Sequence, residues 1–209
     1  MGWEIWMVDP HGMGGSGGST TSLGWYEAND VETAFREFKA GSAGPCVLYG
    51  TSMGAVSILR AVYCGWVEPD ALILECPFDR FTHAIAGGYE RFGLPSALLM
   101  PATVFWVGTQ QGFNAFDHNP VTYVRRVHCP TLLMQGEFDD TVGRSHAQEV
   151  GRRLKRNSTF AFLPGAGHAY LVTRSAGAWR TNVHAFADRL FPTVLAGNGS
   201  EGARNLPPK

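Results

Sequence analysis

Val47-Leu48-Tyr49-Gly50-Thr51-Ser52-Met53-Gly54-Ala55 joins a short apolar run to a segment of helical character that reaches about Cys64. Gly50 to Gly54 has the pattern G-x-S-x-G. Between a strand and a helix that pattern marks a nucleophile elbow, a sharp turn that lifts one serine hydroxyl clear of the sheet. Glycines two residues to either side of Ser52 are expected to relieve the crowding of the turn. The helix start behind the serine adds a positive dipole end and leaves the Met53 N–H free as an oxyanion donor. A serine hydroxyl is a weak nucleophile alone, so the motif demands a histidine base and a carboxylate farther along. With 26 glycines in the chain the pattern can arise by chance, so its setting and its partners carry the weight.

Both partners follow buried runs. Thr131–Gln135 reads as a strand, and Gly136-Glu137-Phe138-Asp139-Asp140-Thr141-Val142 leaves its end; Phe160–Leu163 reads as another, followed by Pro164-Gly165-Ala166-Gly167-His168. The order Ser52, Asp139, His168 is that of a triad in which the histidine takes the serine proton and the carboxylate fixes its tautomer. On these three elements the chain resembles the α/β-hydrolase superfamily, from about Gly2 to Phe191. Val8-Asp9-Pro10-His11-Gly12-Met13-Gly14-Gly15-Ser16-Gly17 resembles the family's D-x-R-G-x-G-x-S loop, with His11 in the arginine position. Leu72–Phe78 resembles the strand after the nucleophile helix, and Asn119–Val124 the segment before the acid strand. Gly165-Ala166-Gly167-His168-Ala169 is most similar to the small esterase-like members.

The resemblance implies a three-layer α/β fold with a mostly parallel sheet and helices on both faces. The family sheet has eight strands, and Trp3–Val8 matches the fourth. The expectation is therefore an N-terminally truncated core. It lacks three strands and the loop that supplies the second oxyanion donor, leaving the Met53 N–H alone. In the family the third strand lies between the fourth and fifth, so a gap or an irregular contact is expected between 3–8 and 46–50, since buried backbone groups need partners.

The length of 209 residues and a net charge of −1 fit one globular domain without the basic surface of a nucleic-acid binder. No cationic segment precedes an apolar stretch at Met1, and no run approaches the ~20 apolar residues of a membrane span. Leu98–Val107 comes closest and holds Pro101. A cytoplasmic location is the reading of this chain alone, with the true N-terminus and any export signal open. Cys46, Cys64, Cys76 and Cys129 form no C-x-x-C pair and match no zinc spacing, so they read as reduced packing residues.

Strands are predicted near 3–8, 46–50, 71–76, 131–135 and 159–163, alternating with helices. Asn29 or Asp30 is placed to cap a helix through Lys39, Ser145–Arg156 reads as a polar helix, and Trp179, Val183, Phe186 and Leu190 mark the last one. Residues 1–195 form the core and 196–209 a disordered tail. Residues 79–128 are too long for a plain connection. In the family such an insertion often forms a lid; here it carries aromatic rings that suit an acyl or aryl group, or that pack the insertion onto the body. Gly87-Gly88 and Gly108–Gly112 are candidate hinges.

For the acid, the G-x-x-D-x-x-V spacing favours Asp139, with Asp140 beside it and Asp79 after the preceding strand as alternatives. His11, His83, His118, His128, His146 and His184 lack the strand-then-glycine-loop setting and read as surface or core residues. Gly12–Gly18 lacks the lysine of a phosphate-binding loop. The chain reads as a serine hydrolase that takes a small-molecule acyl substrate through an acyl-enzyme, with no metal or organic cofactor. An acyltransferase or serine peptidase on the same triad, or an inactive remnant serving as a binding module, are the alternatives. Oligomeric state is not encoded in any motif.

Overall fold

The computed structural model describes residues 3–154, 157–168 and 171–192. Helix α1 (Glu27–Gly41) leads into strand β1 (Val47–Thr51), helix α2 (Met53–Cys64) and strand β2 (Ala71–Glu75). An insertion follows, with helices α3 (Phe81–Arg91) and α4 (Ser96–Gln111) and the one-turn helix α5 (Pro120–Tyr123). Strand β3 (Thr131–Gly136), helix α6 (Arg144–Arg153), strand β4 (Ser158–Leu163), the single turn α7 (Leu171–Arg174) and helix α8 (Ala176–Leu190) complete the described chain. The four strands are parallel in the order β1-β2-β3-β4, each step crossing through helical segments.

The central strands β2 and β3 are buried on both faces because successive side chains of these apolar strands point to opposite sides, each into a core. Leu72, Leu74 and Leu133 join one core with Ala55, Leu59 and Val62 of α2, Ala28 of α1 and Val150 of α6. Ala71, Ile73, Leu132 and Met134 join the other, closed by Phe186, Trp179 and Val183 of α8. A third cluster seats the insertion: Phe81 and Val104 pack against Phe78, Val56 of α2 and Val142.

Three expectations are corrected. Residues 3–8 form no strand, and Ile5 and Met7 are largely exposed. A strand needs a ladder. The alternation that sends the Cys46 carbonyl and the Ser52 amide toward β2 turns the amides of Val47, Tyr49 and Thr51 outward, where they meet no backbone acceptor among the described residues. Within 3–8, Trp3 packs edge-on against Phe191 and Trp6 against Phe38, and no ladder joins this stretch to β1 among the described residues. Secondly, α1 starts at Glu27, ahead of Asn29 and Asp30. The buried Glu27 carboxylate accepts from the Ser22 and Gly24 amides at 2.8 and 2.9 Å and from both the Thr21 and Ser22 hydroxyls, tying the preceding loop to the helix. Burial opposes its ionisation, but these hydrogen bonds hold its pKa below the usual carboxylate value. Asp30 instead accepts from the His11 amide. Thirdly, the candidate hinge Gly87-Gly88 lies inside α3 and Gly108 inside α4, while Gly112 is the left-handed cap that ends α4.

Cys46 and Cys76 are buried, Cys64 and Cys129 half-buried, and all four are free thiols. Among the described residues no helix is long and apolar enough to cross a membrane. The tail expected over 196–209 lies outside the described residues.

Candidate active site

Ser52 sits between the end of β1 and the start of α2 with φ 51° and ψ −116°, a conformation that costs a non-glycine residue about 1–3 kcal/mol and persists only where its surroundings enforce it. They do so here. The Ser52 amide donates to the Glu75 carbonyl at 2.7 Å, fastening the turn to β2, and the Ser52 carbonyl accepts from the Val56 amide to begin the helix. Gly50 is required by close approach, because a Cβ there would stand 2.6 and 2.7 Å from the backbone of Gly54 and Ala55. Gly54 is different: a Cβ would meet nothing within 4 Å. The expected relief of crowding therefore belongs to Gly50 alone.

His168 arrives on the loop after β4. Gly136, at the end of β3, lets that loop come close, since a Cβ there would lie 2.0 Å from the Gly167 carbonyl oxygen. The Phe138 amide donates to the Ala166 carbonyl and the Glu137 amide to the Leu163 carbonyl, pinning the acid loop against the histidine loop. In the result Ser52 Oγ lies 2.9 Å from His168 Nε2, and His168 Nδ1 lies 2.9 Å from Asp139 Oδ2. The carboxylate can only accept, so Nδ1 carries the proton and Nε2 is left to accept from the serine hydroxyl.

Asp139 is held on both oxygens. Oδ1 accepts from the Thr141 and Val142 amides at 2.9 and 2.8 Å, and Oδ2 accepts from the Gln135 side-chain amide at 2.5 Å as well as from His168. Burial pushes the Asp139 pKa upward, but the His168 hydrogen bond, the Val142 and Thr141 amides and the imidazole charge outweigh it and hold the acid below its ordinary value. Asp140 is exposed and touches the Thr141 hydroxyl. Asp79 is buried elsewhere, bound by Arg80 and His83. The structure thus brings Ser52, Asp139 and His168 together and leaves both alternative acids out of contact with the imidazole.

Three supporting residues escaped the sequence reading. Gln135 is fully buried on β3; its amide nitrogen is shared between Asp139 and the Val142 carbonyl, and its Oε1 is the one buried side-chain polar atom without a partner among the described residues. Glu75, buried at the end of β2, accepts from Trp179 Nε1 and the Thr51 hydroxyl beneath the turn. Cys76 has φ 48° and lies with Asp139 and His168 so that their ligand atoms are within 4.8 Å of one another. Burial drives the Cys76 thiol well above its ordinary pKa, which keeps it protonated and a poor metal ligand, while the other two groups are engaged with each other. No motif marks these three; Glu75 and Cys76 owe their places to neighbours distant in sequence, whereas Gln135 supports Asp139 four residues on.

Met53 opens α2, so its amide is one of the free donors of a first helical turn. Among the described residues no strand precedes β1. A hollow of about 370 Å³ lies between α4 and the segment 112–116, lined by Phe105, Gly108, Phe113 and Phe116 among others, and includes none of Ser52, Asp139 and His168. It belongs to the insertion rather than to the triad-like group.

A model of the alpha/beta hydrolase family matches residues 2–188. The chain is 27% identical over 195 residues to the uncharacterized protein YqkD of Bacillus subtilis, covering 91% of this chain and 64% of that protein. It is 30% identical over 165 residues to the lysophosphatidylserine lipase ABHD12 of Macaca fascicularis, covering 74% of this chain and 37% of that one. The chain therefore spans less than two thirds of the curated relatives it matches. Among solved structures, the Pyrococcus furiosus esterase Pf2001 is similar with a TM-score of 0.67 at 22% identity, covering 87% of this chain and 68% of that one, a likeness of fold.

Proposed function

The chain belongs to the alpha/beta hydrolase family, and from that premise we propose that it is a serine hydrolase cleaving an ester or related acyl bond. The observation that carries the reading is the unbroken relay from Ser52 through His168 to Asp139, with both contacts at 2.9 Å. Ser52 Oγ attacks the acyl carbonyl as its proton passes to His168 Nε2, and Asp139 stabilises the imidazolium that forms. The Met53 amide meets the developing oxyanion. Collapse of the tetrahedral intermediate breaks the bond to the leaving group, which takes the proton from His168 and departs. Water then attacks the acyl-serine with His168 again as base, releasing the acid and restoring Ser52. His168 and Ser52 are part-buried, so a substrate can reach the hydroxyl while the carboxylate stays dry.

An ester is favoured by the 30% identity with a lysophosphatidylserine lipase. The insertion, 79–128, serves in this reading as a cap, its exposed Leu98, Phe105 and Trp106 forming an apolar surface suited to an acyl chain. A fluorophosphonate probe tests the nucleophile. It should label the folded protein at Ser52, leave Ser52→Ala unlabelled, and be blocked by a p-nitrophenyl ester that the protein turns over. A folded protein that takes no label at Ser52 overturns the reading.

A further inference from the structure

We propose a second site, a binding site for a divalent transition metal of the zinc class, formed by Asp79, His83 and His146. Asp79 leaves the end of β2, His83 lies in the first turn of α3 and His146 in the first turn of α6. Asp79 and His83, four residues apart, and the distant His146 thus aim one carboxylate and two imidazoles at a common point, their ligand atoms all within 4.8 Å of one another. Asp79 is 1% exposed, while both imidazoles are more than one third exposed, so the site is anchored from within and open to a metal ion from outside.

The distances suit four-coordinate zinc. Ligands about 2.0–2.1 Å from a tetrahedral ion stand roughly 3.3 Å apart. His83 Nδ1 is 2.9 Å from Asp79 Oδ1 and His146 Nδ1 is 3.8 Å from the same oxygen, so the two values bracket that spacing. The imidazole rings are stacked, with centroids 4.4 Å apart and planes 20° from parallel, and each presents the same nitrogen to the carboxylate. Arg80 binds Oδ2 through its guanidinium at 2.7 Å and donates its backbone amide to Oδ1 at 2.8 Å, while His83 Nδ1 stands 2.9 Å from both oxygens and His146 Nδ1 faces Oδ1. A metal ion would replace the Nδ1 proton of His83 and take water as its fourth ligand. The bland alternative is that the same groups form a hydrogen-bonded cluster that fastens α3 to α6, with no ion involved.

The two differ in a titration. The chelator-treated full chain should bind one Zn²⁺ in competition with a chromophoric chelator, and the complex with Co²⁺ should show the visible absorption of a low-coordinate ion. His83→Gln and His146→Gln, both at part-exposed positions, should each weaken Zn²⁺ at least tenfold and abolish the Co²⁺ spectrum, and Zn²⁺ should raise the melting temperature of the wild type only. His168→Ala should retain full Zn²⁺ stoichiometry. Equal Zn²⁺ affinity in the wild type and the His83→Gln/His146→Gln double variant overturns the proposal. So does a wild type that binds no Zn²⁺, or loss of the ion on His168→Ala, which would move it to the Ser52 site.

Discussion

Asp139 shows what a single residue contributes. It is one of two adjacent aspartates, and the difference between them is entirely in the hydrogen bonds they receive. Asp139 takes four donors and is buried, whereas Asp140 faces solvent. In Asp139→Asn one oxygen becomes a donor, which opposes the Gln135 amide and favours the wrong tautomer of His168. Turnover of a p-nitrophenyl ester should fall by about 10⁴, the effect of that change in a triad. Asp140→Asn should stay within about twofold, as surface changes away from such networks do. Parallel kcat measurements on the two variants, with circular dichroism to check folding, decide it. A larger loss from Asp79→Asn than from Asp139→Asn would transfer the role.

At the scale of an element, the turn between β1 and α2 is built by one glycine rather than two. Gly50→Ala would drive a Cβ into the Gly54 and Ala55 backbone, and backbone cannot yield as a flexible side chain does. A cost of roughly 1–3 kcal/mol or more is expected, the range for overpacking a tight site. Gly54→Ala points into open space at the second residue of α2, where alanine is favoured over glycine by up to about 1 kcal/mol in a helix. Chemical denaturation should therefore separate the two, with Gly50→Ala destabilised and Gly54→Ala neutral or slightly stabilised. Equal destabilisation would show that the elbow is crowded on both sides.

For the whole molecule, the insertion is tied to the body through His118. Its ring is fully buried among Trp25, Phe78, Phe81 and Phe113; Nε2 donates to the Leu23 carbonyl at 3.0 Å and Nδ1 accepts from the Tyr123 hydroxyl at 2.9 Å. Burial lowers its pKa to about 4, against 6.5 in the unfolded chain. Between those values the unfolded state binds a proton that the folded state refuses, so folding stability rises with pH across this window and is complete above it. Acidification through the window should remove roughly 3 kcal/mol, the free-energy equivalent of the difference between the two pKa values. Urea midpoints at neutral and mildly acidic pH should show the loss. His118→Phe should be less stable at neutral pH and should lack this part of the acid slope; an unchanged slope would mean that carboxylates alone govern it.

The sharp turn at Ser52, the chain order of Ser52, Asp139 and His168, and the strands β1, β3 and β4 that lead to them were legible in the residues themselves. Each depends on local patterning: a short apolar run, a glycine at a sharp turn, a loop that leaves a strand. The positions of α2, α6 and α8, and of α1 apart from its start, followed from the same periodicity. The spacing from Gly136 to Val142 favoured Asp139 over Asp140 and Asp79, and tertiary structure brought it to His168 where Gly136 lets two loops touch. Tertiary structure alone decided that residues 3–8 are irregular although they have the composition of a strand, since a strand exists only with a neighbour to pair with. The support of Glu75 by Trp179 and the meeting of Asp79 and His83 with His146 belong to the same class. They join residues separated along the chain, and no one-dimensional pattern carries the distance between them.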